Sequence, residues 1–192
     1  MATLDELFGH YTALRGIRLN MVIDGNGQTV GLDGSSKSIS SAADRALLVH
    51  LRSISGLIIT DAATAATELY KPSKFAPIEV WSKTANFRGL EATAAEGTHQ
   101  SVDLVHARDL PEAIARAHQK SPYLLLESGK TLSSALASLG LIDEFCLTVT
   151  GLSPDDTAEE KARSFAATIH LGDYKIAKKT LVDESTFFVM HR

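Results

Sequence analysis

The residues best suited to chemistry lie together in one short stretch, Glu127-Ser128-Gly129-Lys130-Thr131. Residues 123–126 are an apolar run of a length that suits a buried strand, so Glu127 stands at that strand's C-terminal end, where open α/β sheets bind their ligands. Ser128-Gly129 turns the chain into a helical pattern, 130–139, with Leu132, Leu136 and Leu139 on one face and Gly140 as its stop. A glycine turn that opens a helix presents free N–H groups and a positive dipole end to an anion such as a phosphate. An ordinary tight turn has the same residues. Gly129-Lys130-Thr131 is not a P-loop, because that motif needs a glycine five positions before its Gly-Lys and Leu124 stands there.

Two other groups invite chemical readings and fail them. Cys146, the one cysteine, lies inside an apolar strand pattern with no adjacent histidine, which reads as a buried, inert thiol. The seven histidines show no pair at the three- or four-residue spacing of a helical metal site, so no metal centre is expected.

The elements that must position the Glu127 stretch follow from periodicity. Thr3 and Glu6 form a capping box, with Leu4, Leu7, Phe8, Tyr11 and Leu14 at helical spacing, predicting a helix over the first 16 residues. Residues 17–22 read as the first strand. A loop with Asp24-Gly25-Asn26-Gly27 and Asp33-Gly34-Ser35-Ser36 follows, suited to a hairpin or to a ligand loop. Ser40 or Ser41 caps a helix to about Ser53 with Val49 among its packing residues, and Arg52 falls at its end, a solvated terminus or a phosphate ligand. Strands are predicted at 56–60, 78–81 and 102–106, and helices at 61–69 and from Asp109 to about Gln119. After Gly151 a polar loop with Pro154, Asp155, Asp156 and Glu159 is expected to end near Phe165. Strands at 174–182 and 186–191 then form an antiparallel pair. Strands alternating with helices and a strand pair at the end predict an α/β, three-layer architecture, mostly parallel with an antiparallel C-terminal edge.

The chain of 192 residues, 44% hydrophobic, is long enough for one sizeable core, and a single domain spanning 1–192 is expected. Net charge −4 gives no general attraction to nucleic acid or anionic membrane, and the basic run 175–179 reads as a solvated strand face. There is no run of 18 apolar residues, and Asp5 and Glu6 stand where a signal peptide would be basic then apolar. A cytoplasmic protein with a small-molecule partner, without nucleic acid or membrane, is expected.

Glu127-Ser128-Gly129-x-Thr131-Leu132, then Gly140-Leu141-Ile142-Asp143-Glu144-Phe145-x-Leu147-Thr148-Val149, resembles the E-G-G-x-T-L … G-L-V-D-E-L-x-L-T-V signature of the pyrimidine reductase domain of riboflavin biosynthesis. Asn20-Met21-Val22, Asp33-Gly34-x-Ser36, Ile39-Ser40 and Ala43-Asp44-Arg45 are similar to further motifs of that family and come in its order. The resemblance implies a dihydrofolate-reductase-like fold, a homodimer, and NADPH reduction of a phosphoribosylaminouracil to its ribitylamino form. It implies that Ser36, Arg52 and Glu127 hold substrate, with Arg52 on the ribose phosphate. It places Val22, Ser38, Thr64, Glu68, Ser82, Ser128, Gly129, Lys130, Thr131 and Leu132 against the cofactor. Where the family has G-A-G-T, this chain has Asp61-Ala62-Ala63-Thr64, replacing a glycine by an acid that repels a nearby phosphate. The alternatives are a reductase of another pyrimidine or pterin, a relative that binds a nucleotide-like ligand without turnover, and a dimeric scaffold joined through the 145–149 strand.

Overall fold

The computed structural model describes residues 2–88, 90, 101–151 and 157–192. Eight strands make one sheet. They are β1 (Gly16–Ile23), β2 (Leu57–Asp61), β3 (Ile78–Ser82), β4 (Val102–His106), β5 (Tyr123–Leu126), β6 (Glu144–Thr150), β7 (Lys175–Val182) and β8 (Ser185–His191). Their order is β4-β3-β2-β5-β1-β6-β8-β7, parallel from β4 to β6 and antiparallel across β6–β8 and β8–β7. The expected mixed architecture is present, edge included.

Period-two alternation in the strands builds the layers. Ile17, Leu19, Met21 and Ile23 of β1, with Phe145, Leu147 and Val149 of β6, face one core. Helices α4 (Leu110–Lys120), α5 (Lys130–Ser138) and α6 (Thr157–Thr168) cover that face through Ile114, Leu136 and Phe165. Ile58, Leu125 and Cys146 point the other way, under α1 (Leu4–Phe8), α2 (Ala42–Ser53) and α3 (Ala62–Thr67). Continuous β6, buried at all seven positions, lies between β1 and β8. The 145–149 strand therefore has no free face or edge for a subunit, and any such contact must be made elsewhere.

Three local expectations need correction. The N-terminal helix has its capping box but stops at Phe8, because Gly9 ends it and His10 and Tyr11 close back on Leu7 and Phe8 in a turn. Val49 is half exposed on the outer side of α2, and Leu139 likewise lies off the buried face of α5. The stretch expected as a loop up to Phe165 contains α6, whose buried face is built from Ala158, Ala162, Phe165 and Ala166. Three alanines at helical spacing carry a weak hydrophobic signal beside Glu159, Glu160, Lys161 and Arg163. Pro154, Asp155 and Asp156 lie outside the described residues, as does most of 83–101.

Candidate active site

The C-terminal ends of β1 and β5 open into a cleft of about 690 Å³ on the α2 side of the sheet. Alternation along β1 aims Asn20 and Val22 into it, while α2 supplies Asp44, Arg45, Leu48 and Arg52 at helical spacing. Ser41 caps α2 by accepting the Asp44 N–H, which fixes where the helix starts and which side chains it turns inward.

Glu127 is buried at the end of β5. Arg52 donates to its two oxygens from Nε and Nη2 at 2.8 and 2.6 Å, and the Tyr70 hydroxyl donates to Oε2. Burial opposes the Arg52 charge, but the paired carboxylate outweighs it and raises the guanidinium pKa. Burial first, and then Glu127, push the Tyr70 phenol well above its ordinary range, so it stays a proton donor to the carboxylate. Arg52 lies in the cleft wall and is committed to Glu127.

Asp44 is the second acid of the cleft. Its Oδ2 accepts the Ser40 hydroxyl at 2.6 Å, and burial raises its pKa against that bond. Its Oδ1, the Asn20 Oδ1 and the Thr148 hydroxyl are buried with no partner at hydrogen-bond geometry among the described residues, although Thr148 is near enough to Asp44 to oppose the rise in its pKa. An orphaned buried acceptor carries a desolvation cost that a ligand N–H or O–H removes.

The residues assigned to cofactor and substrate distribute unevenly. Val22, Ser36, Thr64, Glu68, Ser128 and Gly129 line the cleft. The Ser36 N–H is bonded to Glu68 Oε1 at 2.6 Å, tying the first loop to the end of α3. Ser38 bonds the Asp33 carboxylate instead of facing the cleft, in a loop of two turns and a short 3-10 turn (Ser36–Ser38) with no strand pair. Ser82 is outside this cleft and lines a second one, of about 390 Å³, with Lys83 and Arg88. Thr131 is exposed, Leu132 packs on the core, and the Lys130 ammonium lies 5.1 Å from the Phe165 ring centre.

The α5 turn has the predicted form, with Gly129 as N-cap and no side-chain cap on the helix. Its first amide is nevertheless taken. The Gly129 N–H is shared between Asp61 Oδ2 at 2.8 Å and Thr64 Oγ1 at 2.9 Å. The amides of the first turn that follows carry no side-chain cap, but Lys130, Thr131 and Leu132 line neither cleft. Asp44, Asn20 and Tyr70 were not singled out as ligand residues from sequence. The Tyr70–Glu127 contact spans 57 residues and leaves no local signal, whereas Asp44 was visible in the Ala43-Asp44-Arg45 motif.

No family model matches the chain, and no curated protein sequence does either. Solved structures do. A pyrimidine reductase-like protein from Corynebacterium diphtheriae superimposes with a TM-score of 0.70 at 16% identity, over 99% of this chain and 98% of that one. The diaminohydroxyphosphoribosylaminopyrimidine deaminase/5-amino-6-(5-phosphoribosylamino)uracil reductase of Thermotoga maritima gives 0.66 at 15%, over 92% of this chain and 56% of that longer one. Dihydrofolate reductase from Enterococcus faecalis, complexed with NADP(H) and RAB-propyl, gives 0.61 at 12%, over 95% and 98%. The chain has the dihydrofolate-reductase-like fold. Within that fold its likeness extends to pyrimidine reductases of riboflavin biosynthesis, the resemblance that the Glu127 and Gly140 motifs carry.

Proposed function

We propose that the chain is an NADPH-dependent reductase of a phosphoribosylamino-pyrimidine. The observation that carries this reading is the cleft itself. A fixed carboxylate, Glu127, and a second acid with an unused oxygen, Asp44, line one cavity beside a helix start without a side-chain cap. NADPH, when bound, supplies the hydride, so the protein has mainly to align and polarise.

Glu127, held by Arg52 and Tyr70, keeps lone pairs for a ring N–H of a pyrimidine. Asp44 accepts a hydrogen bond at Oδ1 or, since burial favours its neutral form, holds a proton there. Among the described residues, Arg45 and Lys37 donate only to the carbonyls of Ser40 and Glu68, so these cleft-lining cations suit a ribose phosphate. The resemblance gave that role to Arg52, which lines the same cleft and spends two of its N–H groups on Glu127. Lys83 and Arg88, in the second cleft beside Ser82, suit the additional phosphate of NADPH. A homodimer belongs to the same proposal, with its contact made away from β6.

A second reading, ligand binding without turnover, is favoured by one observation, the Asp61 carboxylate on the Gly129 amide. Two measurements separate them. Heat protection that saturates with NADPH and exceeds that of NADH supports the cofactor assignment. Loss of NADPH absorbance on adding 5-amino-6-(5-phosphoribosylamino)uracil supports the reductase, whereas binding without that loss sinks it in favour of the second reading.

A further inference from the structure

We propose that Asp61 sets the affinity of this cleft for an anionic cofactor, by holding with its own carboxylate the first amide of the α5 turn. The inference rests on the NADPH reading above. Asp61 ends β2 and caps α3, where its Oδ1 accepts the Thr64 N–H at 2.9 Å. Its Oδ2 accepts the Thr64 hydroxyl at 2.8 Å and the Gly129 N–H at 2.8 Å, and Gly129 shares that hydrogen with Thr64 Oγ1. The three groups close a triangle between the ends of β2 and β5, which are neighbours in the sheet.

The triangle stands between the two clefts. Thr64 and Gly129 line the larger, Asp61 lines the smaller, and Ala63 belongs to both walls. A ligand long enough to lie in both passes beside it. A phosphate there meets a fixed carboxylate and one donor fewer than the turn offers in principle, so like charge and a spent N–H both oppose it. Independently of the helix start, Asp44 and Asn20 line the larger cleft, and each keeps a buried oxygen without a partner at hydrogen-bond geometry among the described residues. Asp61 therefore acts on how tightly the anionic part of that ligand is held, leaving its recognition to the deeper groups.

The test is a calorimetric titration of the full chain and of Asp61→Asn and Asp61→Ser with NADPH, with amide exchange at Gly129 followed by NMR. Both substitutions retain a side-chain oxygen to accept the Thr64 amide and remove the charge. The expected result is at least a tenfold fall in the NADPH Kd in both variants, with faster exchange of the Gly129 amide. Unchanged or weaker NADPH binding in the two variants, beside measurable binding by the unaltered protein, overturns the role of Asp61 and leaves the cofactor reading intact. Failure of all three proteins to bind NADPH overturns the cofactor reading, and this inference with it.

Discussion

Arg52 and Glu127, 75 positions apart in the chain, meet in a two-pronged ion pair in the wall of the cleft, at 2.8 and 2.6 Å. The last turn of α2 and the end of β5 are thereby fixed to each other. Removing the guanidinium strands a buried carboxylate with only the Tyr70 hydroxyl for company. Arg52→Ala is expected to cost about 3 kcal/mol, the low end for a broken buried pair because the arginine side chain keeps 22% of its exposure. Urea denaturation measures it. Glu127→Gln added to Arg52→Ala should recover part of the loss, since the stranded charge is then gone. A strictly additive double variant would show that the two side chains are not coupled.

Asp44 predicts a pH dependence with a definite sign. Burial raises its pKa above the ordinary 3.8, so between that value and the raised one the folded chain binds more protons than the unfolded chain. Stability then falls as pH rises through that window, and the deficit stays at neutral pH. Asp44→Asn keeps an oxygen for the Ser40 hydroxyl and removes the ionisation. The variant should melt higher than the unaltered protein at pH 7, with the difference vanishing as pH falls below the ordinary carboxylate range, and should lose reductase turnover. Thermal scans across that range check the first part. A variant that melts lower at pH 7 contradicts the assignment.

The fold was legible in the sequence because its signals are local. Apolar runs such as 123–126 and 145–149, the caps at Thr3, Ser41 and Asp109, and Gly140 with its φ of +68° each write one element into a few adjacent residues. The site was legible only as far as its residues share a motif. Glu127 and Gly129 could be placed at a strand end and a helix start, but their partners, Arg52, Tyr70 and Asp61, arrive from other elements through contacts that no spacing encodes. The same limit hides the partner of Arg52, a cleft-lining side chain that the fold also pairs with the Glu127 carboxylate. Helix α6 was lost for a different reason, the low hydrophobicity of alanine.

Cys146 offers a check on the core that is independent of ligands. It is fully enclosed on the α2 side of β6, and burial pushes its thiol well above the ordinary range, with the Glu144 carboxylate adding to the shift. The native protein should resist iodoacetamide at pH 8 and take up one label after unfolding in denaturant, read by intact mass. Labelling of the native protein at the rate of a free thiol would show that β6 is not enclosed as described.

Leu69 tests whether the rim of the cleft is kept against local preference. It follows α3 with φ +52°, a left-handed conformation that glycine adopts freely and that a leucine side chain resists, and the Tyr70 N–H closes the turn onto the Ala65 carbonyl at 3.0 Å. The side chain gains little in return, since it is 72% exposed, and it lines the cleft. Relief of the backbone strain at Leu69→Gly exceeds the extra entropy of an unfolded glycine, so the variant should be more stable by about 0.5–1 kcal/mol. If Leu69 covers bound substrate, the same variant should raise KM while kcat changes little, because an apolar rim contact strengthens ground state and transition state alike. Stability and affinity then move in opposite directions. A destabilised Leu69→Gly would mean that the side chain packs more than its exposure shows. Gained stability with an unchanged KM would assign the leucine no part in binding.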